Sequence, residues 1–164
     1  MAEDPLERVS ALIGSETILR MRDITHGRIS AVGWATVELD RAAAELGAAL
    51  RASADPFAEA AGTVALGARC RVAAGVLPSA TSLVLVEPAT EGRLAAWLAR
   101  FGEGPTAIWI EVDNLAEAIA AVRTSGGTAS PAQDGPFGAE HLLLGGPIHG
   151  PHRLLVERPG TIRA

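Results

Sequence analysis

The sequence predicts an α+β fold in which two tandem βαβββ modules share one curved, half-barrel mixed sheet with helices outside. Three observations carry this. The stretch GEGPTAIWIEVDNLAEAIAAV (102–122) alternates as a strand up to Val112 and then changes to helical spacing from Leu115. A looser copy, RISAVGWATVELDRAAA, lies at 28–44; an offset of seventy-six residues sets Gly33 on Trp109, Leu39 on Leu115 and Ala42 on Ala118. After each strand–helix unit come further short apolar runs bounded by Gly and Pro. A single module leaves a sheet face uncovered, whereas two side by side enclose a common core.

The elements follow in order. Residues 1–27 read as an N-terminal helical extension packed on the outside, with Pro5 in a first turn and Leu6, Val9, Leu12 and Ile13 at helical spacing. The first module, 28–88, opens with a strand at 28–36 and an alanine-rich helix at 41–51, broken by Asp55-Pro56. Two or three short strands follow between 63 and 87, separated by Gly67, Gly75 and Pro78-Ser79. A connecting segment, 89–104, holds a helix carrying Leu94, Trp97 and Leu98. The second module, 105–160, repeats the strand (105–112) and the helix (114–125), stopped by Gly126-Gly127. Two last strands fall near 140–144 and 153–158, joined by the Gly- and Pro-rich loop 145–151.

Composition excludes several chemistries. All fourteen basic residues are arginine and tyrosine is absent, so neither a Schiff-base lysine nor a phenolic acid is available. A net charge of -5 without a basic run argues against nucleic acid as a partner. Cys70 is the single cysteine, which rules out an intrachain disulfide and a multi-cysteine metal site. The start carries no signal-peptide pattern and no aliphatic run is long enough to span a bilayer, so the expectation is a cytoplasmic protein with no membrane partner.

The segments LVLVEPATEGRLAAWL, GEGPTAIWIEVDNLAEAI and HRLLVERPG, in that order, resemble the vicinal oxygen chelate superfamily. These are the glyoxalase and bleomycin-resistance-fold proteins, and the flavour is that of the methylmalonyl-CoA epimerases. The resemblance covers about 28–159 and implies a homodimer, because the family's modules often pair across chains. It also implies one divalent metal on the concave sheet, held from four strand positions. Two of those positions, normally His, fall on Ala31 and Ala107, and the Glu/Gln position of the first half falls on Val84. The last falls on Glu157, or on Leu155 if the two prolines are aligned. One carboxylate cannot hold a divalent ion, so the expectation is no metal and no cofactor.

Strand alternation then assigns the pocket. Ala31 shares a face with Gly33 and Ala35, Ala107 with Trp109 and Glu111, Val84 with Val86, and Arg153 with Leu155 and Glu157. Ala31, Val84 and Ala107 leave room for a ligand, Trp109 offers a stacking face, and Arg153 pairs with a carboxylate or phenolate. Glu111 and Glu157, ringed by apolar surface, suit general acid–base work. His26 precedes the first strand, His141 or Glu140 faces inward, and His149 and His152 lie in a loop over the rim. Each has a plainer reading: Trp109 as core, the carboxylates as satisfied structural groups, the histidines as solvated turns. The leading function is a metal-independent isomerase, epimerase or lyase acting by proton transfer on a small organic acid, acyl thioester or aromatic. Its candidate proton carriers are Glu157, Glu111, His26 and His141. A non-catalytic small-molecule binder is the alternative, and a scaffold with a closed pocket is the third.

Overall fold

Asp4 accepts the Leu6 amide and Pro5 presets the backbone, so the chain enters helix α1 (Pro5–Ile13) at once. Helix α2 (Glu16–Thr25) ends on His26 in the left-handed conformation. The computed structural model describes residues 3–145 and 150–159. Strand β1 (Arg28–Ala35), helix α3 (Leu39–Ala49), and strands β2 (Ala58–Thr63), β3 (Ala68–Leu77) and β4 (Thr81–Pro88) form the first module. Helix α4 (Arg93–Phe101) connects it to β5 (Gly104–Val112), α5 (Leu115–Thr124), β6 (Gly127–Ala129), β7 (Gln133–Gly135), β8 (Gly138–Gly145) and β9 (His152–Glu157). The duplicated architecture is as the sequence predicts. Within it, β3 runs unbroken through Gly75, and the break at Ser130–Ala132 splits the last module's edge into β6 and β7.

The strands join in the order β2-β3-β4-β1-β5-β9-β8-β6, with β7 also on β8. Each module begins with a strand paired in parallel to its own last strand, β1 to β4 and β5 to β9. The modules meet through the antiparallel pair β1–β5. The sheet therefore has two faces with separate cores. Outside, Val32, Trp34, Leu83, Leu85, Ile108 and Ile110 pack against the helices, including Val9, Ile18 and Met21 of the extension. The extension is thus part of the main core. Inside, Ala31, Ala35, Cys70, Val84, Val86, Ala107, Trp109, Leu142, Leu154 and Val156 pack on one another.

The curl of the sheet brings its far edges together. The Val64 amide donates to the Asp134 carbonyl at 3.0 Å, and the Thr63 hydroxyl donates to Glu140 Oε2 at 2.6 Å. The half-barrel is clasped shut along that seam, while Leu94, Trp97 and Leu98 of α4 pack over the inner cluster.

The turn between β3 and β4 holds two successive non-glycine residues at positive φ, Ser79 (63°) and Ala80 (56°). An L-residue there costs about 1–2 kcal/mol, more than the roughly 0.5–1 kcal/mol of chain entropy that glycine brings. Ala80→Gly is therefore expected to raise stability by up to about 1 kcal/mol, seen as a higher urea midpoint at unchanged slope. A lower midpoint would refute the strain.

Candidate functional site

The inner face is closed. Ala31, Val84, Ala107, Trp109 and Leu154 each have 0% of their surface exposed. Small side chains on β1, β4 and β5 leave space, and the Trp109 indole fills it: a Cβ on Gly33 would meet the indole ring at 3.0 Å. Trp109 meets Phe137 edge-on, with ring centres 5.8 Å apart, and its Nε1–H donates to Glu140 Oε1 at 3.0 Å. Glu140 is completely buried, its two oxygens taken by Trp109 and Thr63. Burial pushes its carboxyl above the ordinary range against the lowering effect of those two hydrogen bonds. Gly135 makes room for it, since any Cβ there would overlap the carboxyl. Cys70, in the same cluster, has its thiol pushed up to about 12 by burial.

Several assignments from the sequence change here. On β9 the inward set is His152, Leu154 and Val156, so Arg153, Leu155 and Glu157 face the helices. The run Leu154-Leu155-Val156 is apolar on both faces and gives alternation nothing to fix its phase. Glu157 is exposed and accepts the Leu115 amide at the start of α5. His141 faces outward with Nδ1 2.8 Å from the Ser130 carbonyl, and Glu140 takes the inward position. His26 is an exposed helix-end residue on the helical side of the sheet. Glu111 keeps the inward phase but sits at the strand end, 3.9 Å from the Arg28 guanidinium. His149 lies outside the described residues.

His152 and Arg153, on opposite faces of β9, both border one cavity. They line this cavity, of about 260 Å³, with Arg93, the backbone around Leu143–Gly145 and Gly150-Pro151. His152 pairs with Ala107 across the sheet, half-buried, its ring 5.3 Å from that of Trp97. Its Nδ1 lies 3.1 Å from the Thr106 carbonyl. The carbonyl accepts from Nδ1–H in the tautomer that leaves Nε2 its lone pair, and the Thr106 hydroxyl, 3.2 Å from the same nitrogen, fits either tautomer. Burial holds the imidazole below the ordinary histidine range, and Arg93 and Arg153 push the same way against the Thr106 hydrogen bond. Nothing in the sequence singles out Arg93. Glu140 does carry a signal, because Leu142 and Leu144 share its phase on an otherwise apolar strand.

No family model matches the chain, and no curated protein matches it. Solved structures do. Methylmalonyl-CoA epimerase from Mycobacterium tuberculosis superposes with a TM-score of 0.63 at 22% identity, covering 80% of this chain and 88% of its own. A variant of Streptomyces coelicolor methylmalonyl-CoA epimerase, in complex with 2-nitronate-propionyl-CoA, gives 0.65 at 22% identity over 81% of this chain and 98% of its own. A hypothetical protein from Bacillus halodurans gives 0.61 at 18% identity over 84% of this chain and 99% of its own. The fold is that of the vicinal oxygen chelate proteins.

The vicinal oxygen chelate (VOC) metal position can be tested on the donor set. Gly33 pairs with Val84, and its second-module counterpart Trp109 pairs with Leu154. The fourth position is therefore Leu154, and the four are Ala31, Val84, Ala107 and Leu154. Hydrocarbon offers no electron pairs, and no cluster of three or more His, Cys, Asp or Glu stands ready for a metal among the described residues. The residues present do not fit a VOC-type metal. No helix among the described residues is long and apolar enough to cross a membrane.

Proposed function

We propose that this chain is a metal-independent proton-transfer enzyme on the VOC fold. Its substrate is a small organic acid or acyl thioester bound at the notch between β8, β9 and α4, and His152 is the base. One observation carries the reading: His152 is half-buried with Nδ1 against the Thr106 carbonyl, burial favours its neutral form, and the other ionisable residues described around the notch are arginines. The epimerases that share the fold act on a CoA ester, which supports the substrate class. The chemistry balances without a further reagent. Nε2 takes the proton α to the carbonyl, the C–H pair forms the carbon–carbon double bond, the carbonyl π pair moves onto oxygen, and the nearby guanidinium charge stabilises the enolate. Return of the proton to either face gives exchange or epimerisation.

The test is deuterium incorporation at the α-carbon of short branched acyl thioesters and dicarboxylic acids in D2O, followed by NMR. His152→Gln is expected to slow exchange about a hundredfold or more without moving the melting temperature. Because the imidazole titrates below the ordinary histidine range, the rate should hold down to mildly acidic pH and fall only beneath that range. Absence of exchange across the set would sink the proposal. The closed inner face favours a second reading, a non-catalytic small-molecule binder. That protein would show ligand-dependent thermal stabilisation surviving His152→Gln, with no exchange.

A further inference from the structure

Arg153 is 6% exposed, and its charge has no acidic partner among the described residues. Its Nη2 donates to the Leu143 carbonyl at 3.3 Å, and its buried Nε has no acceptor among the described residues. All nineteen Asp and Glu residues lie among the described residues, and none of the ion pairs formed there includes Arg153. Glu140, on the neighbouring strand, is on the other face and already holds Trp109 and Thr63. A buried cation without a counter-charge is among the costliest arrangements a fold can hold. The described residues that line the adjoining cavity of about 260 Å³ include Arg93 and His152 and no acid. Arg93 is also the first residue of α4, whose amino end adds a further positive partial charge.

We infer that this notch is an oxyanion site, and that its ligand carries a carboxylate or phosphate group that pairs with the Arg153 guanidinium. This rests on the reading above and narrows it: the molecule whose proton His152 moves is itself anionic. Three features border one cavity, although Arg153 and His152 leave β9 on opposite faces: a buried guanidinium with no acidic partner among the described residues, a second arginine at a helix start, and a lining whose described residues include no acid.

Thermal shift and calorimetry with sodium malonate and sodium phosphate, against chloride at matched ionic strength, test it on the full chain. Wild-type protein is expected to gain several degrees with at least one of the two. A response to malonate alone marks a carboxylate ligand, and a response to phosphate alone or to both marks a phosphoryl-bearing one. Arg153→Met keeps the stem without the charge; it should weaken the anion at least about tenfold while melting no lower than wild type in chloride. No anion response in wild type, or an equal response in Arg153→Met, overturns the site. A response that strengthens when the carboxyl end is extended by a Gly-Ser tail would place the chain's own terminus in the notch and also overturn it. His152→Gln separates the two claims. Anion binding kept by that variant, with no exchange by wild type, leaves the site standing and removes the proton-transfer reading. Exchange by wild type without an anion response does the reverse.

Discussion

Trp109→Ala is expected to cost about 3–5 kcal/mol of folding stability, measured by urea denaturation. The indole is wholly buried against Ala107, Gly33 and Phe137, and its removal opens a void at the centre of the inner core. That void cannot collapse easily, because Ala31, Gly33 and Ala107 around it have almost no side chain to move. The substitution also strips Glu140 of one of its two donors. If Trp109 were instead a stacking platform beside an open ligand cleft, its loss would move stability by less than about 1 kcal/mol. The measurement therefore decides whether the concave face is core or pocket.

Glu140 gives the second large effect, and it divides by substitution. Glu140→Ala leaves the Trp109 Nε1–H and the Thr63 hydroxyl without partners in a dry interior, at about 2–4 kcal/mol. Glu140→Gln keeps an acceptor for Trp109 and a donor for Thr63, so it should fold as well as wild type in acid. Above the ordinary carboxylate range the two part. The carboxyl titrates higher in the folded protein than in the unfolded chain. Wild type thus has its full stability below the unfolded pKa and loses it as pH rises through the folded one. Glutamine has no proton to lose, so the Gln variant should melt increasingly above wild type from mildly acidic to alkaline pH. A gap between the two that stays constant with pH would show that the carboxyl is not the group titrating.

The Glu140 clasp also shows why the candidate site was only partly legible. Alternation placed the inner faces of β1, β4 and β5 correctly, since each mixes small or aliphatic residues with a recognisable partner phase. It failed on β9, where three apolar residues in succession fit either face, and that error moved Glu157 and Arg153 to the wrong side. His152 and Arg153 are candidates on the sequence alone, yet the reason they matter is not visible there. The hydrogen bond to Thr106 and the missing counter-ion are properties of neighbours forty-six and ten residues away. Arg93 had no sequence signal, because a helix-start arginine is ordinarily solvated surface.

The sequence by itself determined the duplicated βαβββ plan, the small methyl and isopropyl side chains on the inner faces of β1 and β4 and at Ala107 of β5, and the absence of lysine and tyrosine chemistry. These follow from residue identity and short-range periodicity, which the chain carries locally. Only the tertiary structure decided that the barrel is clasped by Glu140, that Trp109 fills the space the small residues leave, and that the polar notch lies at the end of β8 and β9. Burial, hydrogen-bond partners and the balance of charge are set by segments that meet only when the sheet curls.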